Sequence, residues 1–377
     1  MDFLIKNGMV YDPSRHEVIN KDIAIIDRKI AEPIKGYEYR QVIDAEGCIV
    51  TTGLIDYHVH YFFRGSENGV NADASSFCNG ITTVVDGGTT GTGSYELYRN
   101  TIVSNSEVRI LNYLLAASGG QSNDRYPENL DPAYFDEEKI LEFFEKYSDN
   151  LVALKTRISN NIISPELAVK SLKKTVEIAE KAGTRVVVHV TDCSIPLDEL
   201  AEMLRPGDVI CHIYHGMGEN KCLGNDGKVL KGLWKAKERG VLFDACNGRS
   251  NFDLNVCKEA LAQGFIPDII SSDNNLSSWF LQPMHTLPRI LSKYMDFGMD
   301  WKDVLDTATI RPAELIGRKE LASMENGTTA DISIFKIIEK DVPYRDINGH
   351  TFTGKKVFVP EMTFKDGKCV YCQADFC

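Results

Sequence analysis

His58 and His60 stand two residues apart at the end of the run GLIDYHVH (53–60). If that run is a strand, residues i and i+2 share a face, and both imidazoles can meet one metal ion. The bland reading of such a pair is two satisfied core histidines. Later apolar runs carry more donors: Lys155 in LVALKTRI, His189 in TRVVVHV, His212 in DVICHIYH and Asp273 in DIISSDNN. Imidazole-rich sets of this kind suit zinc first, with iron, manganese or cobalt also accommodated. Lys155 sits among apolar neighbours, where a cation is expensive to bury, so the neutral, nucleophilic amine is favoured. Such an amine can take up carbon dioxide as a carbamate, whose two anionic oxygens can bridge two cations. The competing reading pairs Lys155 with a carboxylate such as Asp86 or Asp273.

These residues need elements that converge. Eight short apolar runs (53–60, 81–88, 108–117, 151–158, 184–190, 208–215, 241–248 and 268–275) alternate with helical or irregular segments, the rhythm of repeated βα units. Between the fourth and fifth runs a helix is predicted, with Ser164 as N-cap, Pro165 at its first position and Gly183 after its end. Leu167, Ala168, Leu172, Val176 and Ala179 form its apolar stripe. Eight such units predict an α/β fold, a (β/α)8 TIM barrel, whose chemistry lies at the C-terminal ends of the strands, where all six donors fall. Both ends of the chain read instead as strands and turns. The expected division is a composite β-sandwich domain from residues 1–50 plus 327–377 and a barrel over 51–326.

Composition excludes several classes. The 377 residues carry 42 Lys+Arg against 54 Asp+Glu, a net charge of −12, and no basic patch with interleaved aromatics, so no nucleic-acid partner is expected. No signal-type apolar segment opens the sequence and no 18 apolar residues run together, so a cytoplasmic protein without a membrane partner is expected. The 10 cysteines read as free thiols, the lone Cys369/Cys372 pair being weak as a zinc motif. Asp86-Gly87-Gly88-Thr89-Thr90-Gly91 lacks the lysine of a phosphate loop and reads as a turn after the second run.

The order His58, His60, Lys155, His189, His212, Asp273 on runs one, four, five, six and eight resembles the amidohydrolase superfamily, in its binuclear subtype with a carboxylated lysine. IVTTGLIDYHVH, TATIRPAELIGRK and ENGTTADISIF resemble its approaches to and from the barrel, and ALAQGFIPDIISSD resembles its dihydroorotase-like and D-aminoacylase-like members. The resemblance implies a barrel with a β-sandwich built from both chain ends, two divalent ions and a small-molecule substrate. His58 and His60 would hold one ion and His189 and His212 the other, with carbamylated Lys155 bridging and Asp273 joining the first. Cations about 3.5–4 Å apart can hold a bridging hydroxide at neutral pH, and Asp273 would act as general base and then general acid. The implied reaction cleaves an amide, cyclic amide or ester bond of a small, carboxylate-bearing molecule. The alternatives are a deaminase of a nucleobase-like heterocycle and a metal-free, non-catalytic scaffold. Two loops depart from the pattern: Cys246-Asn247-Gly248 after run seven and Asn274-Asn275 after Asp273. The expected substrate contacts are Arg157, Asn247 and His285, with Arg64 and Arg249 as further arginines able to clamp a carboxylate. His215 is expected to face away from His212. A homo-oligomer is compatible with all of this.

Overall fold

The computed structural model describes residues 2–123, 125–248, 250–281 and 285–376. Seven of the eight runs form parallel strands hydrogen-bonded in sequence order: Leu54–Val59, Ile81–Asp86, Arg109–Leu115, Leu151–Arg157, Arg185–His189, Val209–Cys211 and Leu242–Asp244. Their residues are buried on both faces, as parallel strands covered by helices require. Ile55, Tyr57, Val85, Leu111, Tyr113, Ala153, Val187 and Val209 fill the barrel interior. Alternate residues such as Leu54, Val84, Ile110, Leu154 and Val186 pack outward against the helices.

The eighth run, 268–275, is not a regular strand. Its strand-type pairings are isolated bridges, Asp244 with Ile269 and Val59 with Asn274. Its ladder is diverted to side chains: Ser272 N–H donates to Asp56 Oδ1 at 3.0 Å and Asn274 N–H to Ser272 Oγ at 3.0 Å. Asp273, at φ +52°, breaks the extended path between them. The barrel still closes, because Asp273 N–H donates to His58 O and His60 N–H to Asn274 O, both at 2.8 Å.

The predicted helix spans Pro165–Lys181 and is followed by Gly183 at φ +64°. Ser164 lies at its N-cap without a side-chain cap bond. The buried face runs through Ala168, Ser171, Leu172, Thr175, Ile178 and Ala179, so two small polar residues join the stripe while Leu167 and Val176 lie at its margins.

Strands from both chain ends build two further sheets. One orders Lys29–Ala31, Ile23–Ile26, Phe3–Lys6 and Gln41–Asp44; the other runs Lys368–Cys372, Thr351–Lys365, Ile332–Arg345, Ile49–Thr52, Met9–Asp12 and Glu17–Ile19. Phe3, Ile5, Ile25 and Ile43 of the first pack with Val10, Val50, Ile334, Met362 and Phe364 of the second. The hairpin of Ile332–Arg345 and Thr351–Lys365, with strands of 14 and 15 residues, reaches beyond this core. It lies along helix Leu287–Asp296, where Phe358 N–H donates to Ser292 Oγ at 2.9 Å. Its tip is pinned to the barrel by Leu254 N–H donating to Asp346 Oδ2 at 2.8 Å. The nine described cysteines are free thiols. Among the described residues no helix is long and apolar enough to cross a membrane.

Candidate metal centre

Strict alternation along the first strand would turn His58 and His60 outward, since Ile55 and Tyr57 already face the interior. The pairing with Ile81–Asp86 shifts register between Asp56 and Val59. This irregularity re-aims the strand end, as β-bulges beside active sites do, and both histidines line a cleft of about 500 Å³ at the barrel mouth. Gly87 makes room for the first of them, because a Cβ there would sit 2.3 Å from His58 Nε2.

Lys155, His189, His212 and Asp273 line the same cleft. Lys155 and Arg157 follow Ala153 on the inward face of the fourth strand, and His189 follows Val187 on the fifth. On the sixth strand the inward position belongs to Cys211; His212 reaches the cleft through a left-handed backbone at φ +67°. Cys246 at φ +33° and Asp273 at φ +52° end the next two runs in the same way. Such conformations cost about 1–3 kcal/mol each for non-glycine residues and persist only where surroundings hold them. Here the hold includes His212 Nδ1 on Cys246 O at 2.7 Å, Cys246 N–H on Asp244 Oδ1 at 2.9 Å and Asn275 Nδ2 on Asp273 O at 2.9 Å.

Supporting contacts orient the donors. With Nδ1 donating to the Cys246 carbonyl, His212 keeps the Nε2 lone pair for a ligand. His60 Nδ1 lies 2.7 Å from Thr89 Oγ1, which is itself 3.0 Å from buried Asp86. Asn251 Nδ2 donates to Asp273 Oδ2 at 2.8 Å, and the other oxygen lies 3.3 Å from His60 Nε2. Asp86 is engaged with Thr89 and the Tyr61 N–H rather than with Lys155. Lys155, 1% exposed, instead has the Cys211 thiol 3.1 Å from Nζ, and among the described residues no carboxylate pairs with it.

The electrostatics suit cation binding. Burial, reinforced by Lys155, lowers His58 to about 3, and burial with His212 and Arg157 holds His189 well below the usual range. Both imidazoles are therefore neutral and free to ligate. Burial opposes ionisation of Asp273, but the His60 bond and the nearby His212 and His58 outweigh it, so the carboxyl stays below the usual carboxylate range. His58, His60 and Asp273 place one donor atom each within 4.8 Å of one another, as do His58, His212 and Cys246. The neutral imidazoles of His58 and His189, the ionised Asp273 and a buried lysine without a carboxylate partner fit a divalent cation site.

The expected substrate contacts divide. Arg157 lines the cleft, but its guanidinium already donates to both Glu128 oxygens, at 2.9 and 3.1 Å. Asn247 and His285 line a neighbouring hollow instead. Arg64 is exposed, and His215 is fully buried outside the cleft. Arg249 lies outside the described residues. Sequence reasoning missed Cys246 as a donor, although its place at a strand end was visible. It also missed Thr89, Asn251 and Lys293, which carry no local signal.

Fold and site together define a parallel α/β barrel with a candidate cation site at its strand ends. The chain belongs to the amidohydrolase family, which it matches over residues 49–370. It is 29% identical over 321 residues to a deacetylase of Agrobacterium fabrum, covering 85% of this chain and 78% of that protein. To a deacetylase of Enterococcus faecalis it is 27% identical over 371 residues, covering 97% and 98%. Among solved structures, a dihydroorotase superposes with a TM-score of 0.89 at 27% identity, covering 99% of this chain and 98% of the other. An adenine deaminase superposes equally, with a TM-score of 0.89 at 26% identity and coverage of 99% and 100%.

Proposed function

We propose that this chain is a metal-dependent hydrolase that cleaves an amide, cyclic amide or ester bond of a small, carboxylate-bearing molecule at the barrel-mouth cleft. The observation that carries the reading is the convergence of His58, His60, Lys155, His189, His212 and Asp273 on one cleft from five separate runs. His58, His60 and Asp273 would hold one divalent ion, with zinc the first candidate, and His189 and His212 a second. Lys155, as its carbon dioxide-derived carbamate, would lie between them. Buried without a carboxylate partner, the lysine is suited to that modification. Bound divalent ions supply Lewis acidity toward the scissile carbonyl and a water of lowered pKa at neutral pH.

The protein's own residues do the rest. Asp273, ionised and fixed by Asn251, takes the proton of the attacking water and hands it to the leaving nitrogen or oxygen. Thr89 and the Cys246 carbonyl keep the His60 and His212 rings aimed inward. The likeness to deacetylases puts acetyl amides and esters first among substrates; the likeness to an adenine deaminase favours ring deamination as the second reading.

The test supplies metal-loaded enzyme with N-acetyl and O-acetyl amino and hydroxy acids, lactams, dihydropyrimidines and adenine. Release of a carboxylic acid is expected. Ammonia from the heterocycle would establish the deaminase instead, and no turnover on any of the panel would overturn the hydrolytic reading.

A further inference from the structure

Helix Leu287–Asp296 carries Arg289 and Lys293 four residues apart, so the two side chains leave the same face. That face closes a second hollow, separate from the metal cleft: among the described residues the two share no lining side chain. Asn247 and Phe252, beyond the seventh strand, line it from the barrel, and Tyr344, Arg345 and Asp346 line it from the long hairpin. Lys293 is 6% exposed, donates to Asn247 Oδ1 and sits 3.3 Å from the centroid of the Phe252 ring. Arg289 donates to the Pro343 carbonyl and lies over the Tyr344 ring. Among the described residues neither cation meets a carboxylate within ion-pairing distance. Asp346 is already engaged, accepting from Leu254 N–H at 2.8 Å and from His350 N–H at 2.9 Å, with His350 Nδ1 also 2.9 Å away. Burial lowers Lys293 to about 7 and His285, which also lines the hollow, to about 4. That is the response of basic groups held from water without a counter-ion.

Like charges one helical turn apart repel, and burying them without an anion is unfavourable. An amide oxygen, a carbonyl and two aromatic faces offer these cations only partial negative charge. A small anion between them would cancel it in full. The hollow has about 40 Å³ of room for water-sized centres, against about 10–15 Å³ for a single water. This admits a halide or a three-atom head such as formate, and it excludes a sugar phosphate or an aromatic acid.

We infer that this hollow is a binding site for one small monovalent anion, of halide or formate size, held by Lys293 and Arg289. The anion would act as an ionic clasp between the barrel and the C-terminal hairpin, because residues of both meet around it. Without it the two cations stay unpaired. The site takes no part in the reaction proposed for the metal cleft and stands whether or not that reading holds.

Thermal unfolding of the metal-loaded protein tests the site, with sodium gluconate exchanged stepwise for sodium bromide or sodium formate at constant ionic strength. With either small anion a saturable rise in midpoint of roughly 3 °C is expected, the size that mass action gives at about a hundred times the dissociation constant. Lys293→Met and Arg289→Gln should each abolish the rise; an anion bound only to the metal ions would ignore both changes. Arg289, only half-buried, keeps the test decisive if Lys293→Met folds poorly. Crystals soaked in bromide give a second readout, an anomalous peak between Lys293 and Arg289. Equal midpoints in gluconate, bromide and formate, a rise that persists in Arg289→Gln, or a hollow without anomalous density would overturn the site.

Discussion

Lys293 offers a stability prediction whose size can be worked out. Burial lowers it from the ordinary 10.5 to about 7. At about 1.4 kcal/mol per pH unit, that gap corresponds to roughly 5 kcal/mol lost to holding the ammonium inside the fold. The sign follows from proton counts. Below pH 7 the folded and unfolded chains both carry the proton, and the penalty is complete. Between about 7 and 10.5 the unfolded chain binds more protons than the folded one, so stability rises with pH and the penalty fades. Lys293→Met removes the penalty but also the Asn247 bond and the Phe252 contact, together worth about 2 kcal/mol. The variant should be more stable than the parent by about 3 kcal/mol at pH 6, with the difference vanishing or reversing near pH 10. Urea midpoints at the two pH values read this directly. A variant less stable at pH 6, or a difference that ignores pH, would refute the account of Lys293 as a buried, unpaired cation.

Other perturbations address the metal centre. Asp273→Asn should lower turnover by roughly 10²–10⁴-fold while most of the bound metal is retained; near-parental activity would remove Asp273 from proton transfer. Thr89→Val takes away the partner of His60 Nδ1 and should weaken metal binding by about 10–100-fold, with Thr89→Ser restoring it in a competitive chelator titration. Gly87→Ala places a methyl group where His58 Nε2 now lies, so metal content should fall with little change in far-ultraviolet circular dichroism; full metal occupancy would show that the ring has room to move.

Much of the barrel was legible because parallel strands buried on both faces leave continuous apolar runs, and seven such runs became strands. The eighth was misread for a physical reason. DIISSDNN is apolar enough to look extended, but Ser272 and the left-handed Asp273 divert its hydrogen bonds to Asp56 and to the loop. His58 and His60 were found by a period of two, which is correct between them, although a register shift upstream is what turns them inward. Arg157 was likewise placed on the right face, but its partner Glu128 lies in a distant loop that no local pattern reveals. Lys293 sits on the helix Leu287–Asp296, and nothing nearby in sequence announces that a hairpin from the C-terminal end of the chain packs along it.

Metal content is the most direct test of the central claim. In protein produced with added divalent metal and bicarbonate, about two ions per chain are expected, with occupancy lost when His58 and His60 are both replaced by asparagine. Fewer than about one ion per chain in the parent protein, or occupancy indifferent to those substitutions, would contradict the account.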